Sequence, residues 1–263
     1  MPKISSFSVL LSLLILFLLL LTACSPQATS EAISGLQMAA ANQLYEEGNF
    51  AEAAARYQAL ADAGVKDGRL YYNLGGAYFK MGDLGRAVLN FRRAQRMLPR
   101  DGDVATNLRL ARAQTLDRIE VENEGAVVDL FRGLIYWTAL DEAATVAVAL
   151  WVALCGLGVG AILWRQRRRT LLFLAGGITI LLFLGLLSLG IRLLDERGQP
   201  PAVVVAEEVA VRSGPGDDYL TEFTLHAGAE VRVVEQRGGW LRIALPGDLQ
   251  GWTPVEAVIE VLP

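Results

Sequence analysis

Hydrophobic and polar positions divide this chain into blocks. Ile4 to Leu21 carries no charged residue. Residues 34 to 118 place small and large apolar residues at helical spacing. Residues 119 to 129 are acidic, and Leu130, Phe131, Leu134, Ile135, Tyr136 and Trp137 follow as a short apolar and aromatic stretch. Two uncharged runs come next, 143–164 and 170–191, each 22 residues long. As helices at about 1.5 Å per residue each reaches roughly 33 Å, and a bilayer core is about 30 Å thick. After Pro201 come short β-rich segments, 203–211, 222–225, 230–235, 240–244 and 258–261, in which Val231, Val233, Leu241 and Ile243 alternate with polar neighbours. The expected fold is a multidomain membrane protein with an all-α repeat, a two-helix transmembrane hairpin and a small all-β barrel.

The runs are joined by Arg165-Gln166-Arg167-Arg168-Arg169. Four Arg in so short a connector hold it on the cytoplasmic side, so both flanking regions are expected outside a cytoplasmic (inner) membrane. No ionisable residue lies within either run, and no proton or ion path is expected. Residues 1–24 read as a signal segment: Lys3, an apolar stretch, then Thr22-Ala23. Leu21-Thr22-Ala23-Cys24 resembles the bacterial lipobox, which implies that Cys24 carries lipid. The alternative is an uncleaved signal anchor with an incidental Cys, and either leaves the following residues outside. Cys155 reads as a small packing residue in the first run, so no disulfide framework is available. Tyr136 and Trp137 suit the headgroup layer. Residues 119–142 therefore read as an acidic linker and an interfacial helix, with packing of that face on the preceding module as the alternative.

Residues 34 to 101 repeat with a period of 34. Gly48-Asn49-Phe50, Ala53 and Tyr57 align with Gly82-Asp83-Leu84, Ala87 and Phe91. Tyr71, Leu74, Gly75, Tyr78, Ala87, Phe91, Ala94 and Pro99 resemble the tetratricopeptide consensus, a helix-turn-helix repeat of that period. Small residues at Gly75 and Ala87 let helices approach, Gly82 ends a helix in the left-handed region, and Pro99 stops the next. Asn107-Leu108 echoes Asn73-Leu74, but Arg109 and Arg112 replace Gly75 and Tyr78. With Val104, Ala105, Leu108 and Ala111 as an apolar stripe, 103–118 reads as a capping helix, closing a module at 34–118. The resemblance implies a protein-binding groove lined by Met38, Asn42 and Tyr45 from one copy and Arg69, Tyr72 and Phe79 from the next. The alternative is that several of these simply pack on each other.

In the C-terminal block, Val211-Arg212-Ser213-Gly214-Pro215, Ala227-Gly228, Gly239-Trp240 and Gly251-Trp252 resemble the bacterial SH3-like (SH3b) domain over 201–263. Some relatives bind cell-wall peptides, which implies Tyr219, Trp240 and Trp252 as a ligand surface. The alternative is that both Trp close the small core.

The net charge of −4 gives no basic face for nucleic acid, and the Arg cluster is explained by topology. His226 is the only His and has no Cys or second His beside it, so no metal site or cofactor is expected. No nucleotide-binding Gly-rich loop and no Cys nucleophile with a base is visible, and the chain is read as no enzyme.

Taken in order, the blocks resemble BatE-type proteins of bacterial aerotolerance (Bat) operons. That resemblance implies protein partners, namely von Willebrand A-domain membrane proteins and a MoxR-type ATPase, in an envelope stress complex. It favours a scaffold. The other readings are a peptidoglycan sensor acting through the SH3-like domain, and a stabilising subunit without a ligand.

Overall fold

The computed structural model describes residues 28–117, 125–247 and 249–262. The expected signal segment with Cys24 lies outside them, as do residue 118 of the expected capping helix and residues 119–124 of the acidic linker. The first block folds into α1 (Ala28–Glu46), α2 (Phe50–Asp62), α3 (Gly68–Met81), α4 (Leu84–Met97) and α5 (Gly102–Gln114), each packed on the next. The turns after α1 and α3 need a left-handed residue, and Gly48 (φ 83°) and Gly82 (φ 81°) supply it one 34-residue period apart. Asp67, Asp83 and Asp101 cap the next three helices by accepting from first-turn backbone N–H groups. Tyr57, Leu70, Leu74 and Phe91 are buried between helices. A Cβ on Gly75 would lie 2.8 Å from the Phe91 ring, so the closest approach of α3 and α4 requires the missing side chain. On α5, Val104, Leu108 and Ala111 face inward, whereas Ala105, expected in the same stripe, is exposed.

Three further helices follow: α6 (Ala126–Ile135), α7 (Leu140–Leu163) and α8 (Arg168–Gly198), with a 3-10 turn at Arg165–Arg167. The last two pack against each other, and both are long and apolar enough to cross a membrane. The polar end of α8 extends well past the apolar run because it is tethered. Arg192 donates to the Thr138 carbonyl at 2.7 Å, and Asp195 accepts from the Tyr136 hydroxyl at 3.0 Å. Cys155 faces outward on α7 instead of packing inside the pair.

The C-terminal block is a seven-stranded antiparallel sheet: β1 (Pro201–Val204), β2 (Glu208–Arg212), β3 (Thr221–His226), β4 (Glu230–Arg237), β5 (Trp240–Ala244), β6 (Gln250–Pro254) and β7 (Val258–Glu260). Their spatial order is β3-β2-β6-β5-β4-β1-β7. The segment 203–211, expected as one strand, is two. The chain bends at 205–207, where the Val205 N–H donates to the Ala257 carbonyl at 2.9 Å, and changes partners. Before the bend β1 pairs with β4 and β7; after it β2 pairs with β3 and β6. The Gly251-Trp252 element, expected only as a motif, forms the interior strand β6. Val204, Val211, Leu241, Ile243 and Val258 fill the core.

The helical region and the sheet are not separate bodies. Val203 and Val261 join Val88, Leu89, Phe91, Leu108 and Ala111 in one buried cluster. At Gly85 the approach is so close that a Cβ would lie 2.9 Å from the Val204 carbonyl oxygen and the Val205 Cα. The Arg93 guanidinium donates to the main-chain carbonyls of Glu260 (3.0 Å) and Val261 (3.2 Å).

Candidate functional site

The junction between helices and sheet carries its own ion cluster. Glu230 at the start of β4 lies 2.8 Å from the Arg92 Nε and 2.5 Å from the Arg112 Nε. Burial by itself would raise the Glu230 carboxyl, but Arg92 and Arg112 outweigh it and hold the group below the usual carboxylate range. Burial draws the Arg92 guanidinium down, with Glu230 opposing. Beside this cluster Asp117 accepts from the His226 backbone N–H at 2.6 Å and lies 3.0 Å from its Nδ1. His226, lone in the sequence, thus has a carboxylate partner from the helical region. Arg112, which reads as a departure from the repeat pattern, is a docking residue.

Four of the six candidate groove residues meet. Asn42, Tyr45, Tyr72 and Phe79 line a groove of about 520 Å³ across α1, α3 and α5. Met38 and Arg69 border a second cavity of about 1180 Å³, which Asn42 also reaches and which Leu140, Asp141 and Glu142 of α7 flank. Arg100 spans that junction to Glu142 at 2.6 Å. The groove floor is a polar ladder. The Asn42 Oδ1 accepts from the Tyr57 hydroxyl (2.7 Å) and the Asn73 amide (2.9 Å), and the Asn107 amide donates to the Tyr72 hydroxyl (2.7 Å). Burial, with Tyr45 nearby, pushes the Tyr57 hydroxyl up to about 12. Asn73 and Asn107 were not among the expected groove residues. Their recurrence one period apart was the sequence cue to them.

On the barrel, Tyr219 is 50 % exposed, Trp240 is half-buried and Trp252 is 7 % exposed. Directly opposed residues of paired strands share a face, as do alternate residues of one strand. Trp252 opposes both Arg242 and Arg212, and Arg237 opposes Trp240. Arg and Trp therefore interleave on the outer face of β4, β5, β6 and β2. The Arg212 guanidinium lies 5.9 Å from the Trp240 ring centre, and that of Arg237 lies 5.4 Å from the Trp252 ring centre. Arg212 also donates to the carbonyls of Asp217 and Tyr219, tying the Tyr219 loop to this face. The arginines were not expected there; the Trp240-Leu241-Arg242 alternation was the cue.

Among the described residues no group of three His, Cys, Asp or Glu is placed to hold a metal ion. Residues 205–258 match the family model of the bacterial SH3 domain. The C-terminal sheet is therefore an SH3b domain, and its class binds proteins or peptidoglycan. No curated protein matches the chain.

Proposed function

We propose that this protein is a non-enzymatic envelope scaffold, fixed by two membrane spans with both folded parts outside the cytoplasm. In this reading α1–α5 are tetratricopeptide repeats with a cap, and their groove holds a protein partner. The SH3b domain braces the repeat through Val203 and Val261, which complete the cluster that Tyr72 and Phe79 pack against. The observation that carries the proposal is the direct packing of α4 and α5 on Val203 of β1 and on Val261, just beyond β7. Segments on either side of a two-span hairpin can touch in this way only from one side of the bilayer. Glu142 at the start of α7 holds Arg100, and Asp195 near the end of α8 holds Arg232 of β4 at 3.0 Å, so both folded parts meet the same end of the hairpin. The Arg turn lies at the other end, where the positive-inside rule calls for cytoplasm. On α6, exposed Leu130, Phe131 and Leu134, with Trp137 just beyond its end, suit an outer headgroup layer. The resemblance to BatE-type proteins extends the proposal to von Willebrand A-domain membrane proteins and a MoxR-type ATPase as partners, and the lipobox resemblance extends it to lipid on Cys24.

Co-purification of the full chain from mild detergent tests the groove. Membrane partners recovered with the wild type should be lost with Tyr72→Asp or Phe79→Asp. Equal recovery would exclude it.

A second reading, a peptidoglycan sensor, is favoured by the Arg and Trp face on β2, β4, β5 and β6, whose Arg and Trp residues are not among those that complete the shared cluster with the helices. Purified sacculi should then retain the full chain, and Trp240→Ala with Trp252→Ala should abolish retention. Retention unaffected by that pair, or no retention of the wild type, removes this reading.

A further inference from the structure

We infer that the turn between α7 and α8 binds the headgroups of anionic phospholipids; this rests on the reading that the two helices span a membrane. Arg165, Arg167, Arg168 and Arg169 are all exposed, and none of their guanidiniums has a hydrogen-bond or ion-pair partner among the described residues. Four like charges within one turn repel one another. Arg168 and Arg169 also occupy the first turn of α8, where the positive end of the helix dipole disfavours cations. Among the described residues nothing offsets this charge, which leaves it open to an external anion.

The flanking surface says which anion. Trp164 is 64 % exposed just before the turn, and Leu172 and Phe173 are exposed one helical turn beyond it. Arginine forks match phosphate oxygens, while the apolar flanks match acyl chains. A small soluble anion would use only the first of these surfaces. A phospholipid with a net negative headgroup uses both.

The test is native mass spectrometry of the full chain in detergent with equal phosphatidylglycerol and phosphatidylcholine added. A basic side chain at an anionic surface is worth roughly fivefold. The wild type should therefore retain phosphatidylglycerol on the order of tenfold better or more. The variant with Arg→Gln at 165, 167, 168 and 169 should lose that preference with unchanged helical content. The corresponding Arg→Lys variant, which keeps the charge, should retain it. Equal retention of both lipids by the wild type, or an undiminished preference in the Gln variant, overturns the proposal. Detergent exposes both ends of the hairpin, so an error in the membrane orientation would leave this result intact. Thiol labelling of Gln166→Cys detects such an error separately.

Discussion

Replacing Gly85 by Ala gives a test whose sign depends on the docking. Gly85 is the second residue of α4, with no left-handed backbone requirement. If α4 stood free, Ala would gain up to about 1 kcal/mol over Gly in helix propensity. In the docked protein the new Cβ lies 2.9 Å from the Val204 carbonyl oxygen and the Val205 Cα, whereas ordinary contact begins at 3.4 Å. Both neighbours are main chain and cannot rotate aside, so α4 and β1 must separate by about half an ångström, 3.4 less 2.9. Overpacking of this kind costs about 1–3 kcal/mol, so with the full propensity gain set against it the net loss is up to about 2 kcal/mol. Hydrogen exchange measured by mass spectrometry on the full chain in mild detergent reads this locally. Peptides covering 201–206 should exchange faster in Gly85→Ala, by up to roughly 30-fold. Unchanged exchange there, together with greater protection of 84–97, would mean that nothing lies opposite Gly85 and would refute the docking.

Glu230→Gln should lower the melting temperature by the equivalent of about 1–2 kcal/mol, less than a fully buried pair because Arg112 is half exposed. The pH dependence follows from the depressed Glu230 carboxyl. Its contribution is fully present above the ordinary carboxylate range and is lost as pH falls through its lower folded-state value, so Glu230→Gln should remove part of the acid sensitivity seen in a melting series. Gly75→Ala should destabilise by up to about 2 kcal/mol, the overpacking against the Phe91 ring less the helix-propensity gain, and a double-mutant cycle with Phe91→Leu should recover part of that loss.

The helical N-terminal half, the two apolar helices and the antiparallel C-terminal sheet were legible in the sequence because each is specified locally. Helical spacing, uncharged runs and strand alternation need no knowledge of distant partners. The break at 205–207 coincides with Ala206-Glu207-Glu208, which interrupts the Val run, but that interruption alone does not say that the chain changes partners there from β4 and β7 to β3 and β6. The docking was hidden for a related reason. Arg92, Arg112 and Glu230 look like ordinary surface charges, and Arg112 meets Glu230 across 118 positions of sequence. Val203 and Val261 look like barrel residues, yet they complete the core of the helices. At the groove, the aromatic positions could be listed from the repeat pattern, but not the division that sends Met38 and Arg69 to the cavity beside α7.

The two-span, same-side arrangement is tested most directly by labelling single cysteines with a membrane-impermeant thiol reagent in intact spheroplasts. Ala55→Cys, Gln166→Cys and Ser213→Cys, each in a background with both native cysteines removed (Cys24→Ser, Cys155→Ala), report the repeat, the Arg turn and the barrel, and all three positions are exposed. The account predicts labelling at 55 and 213 in intact spheroplasts, and at 166 only after the membrane is opened. Labelling at 166 in intact spheroplasts, or protection of either 55 or 213, would contradict it.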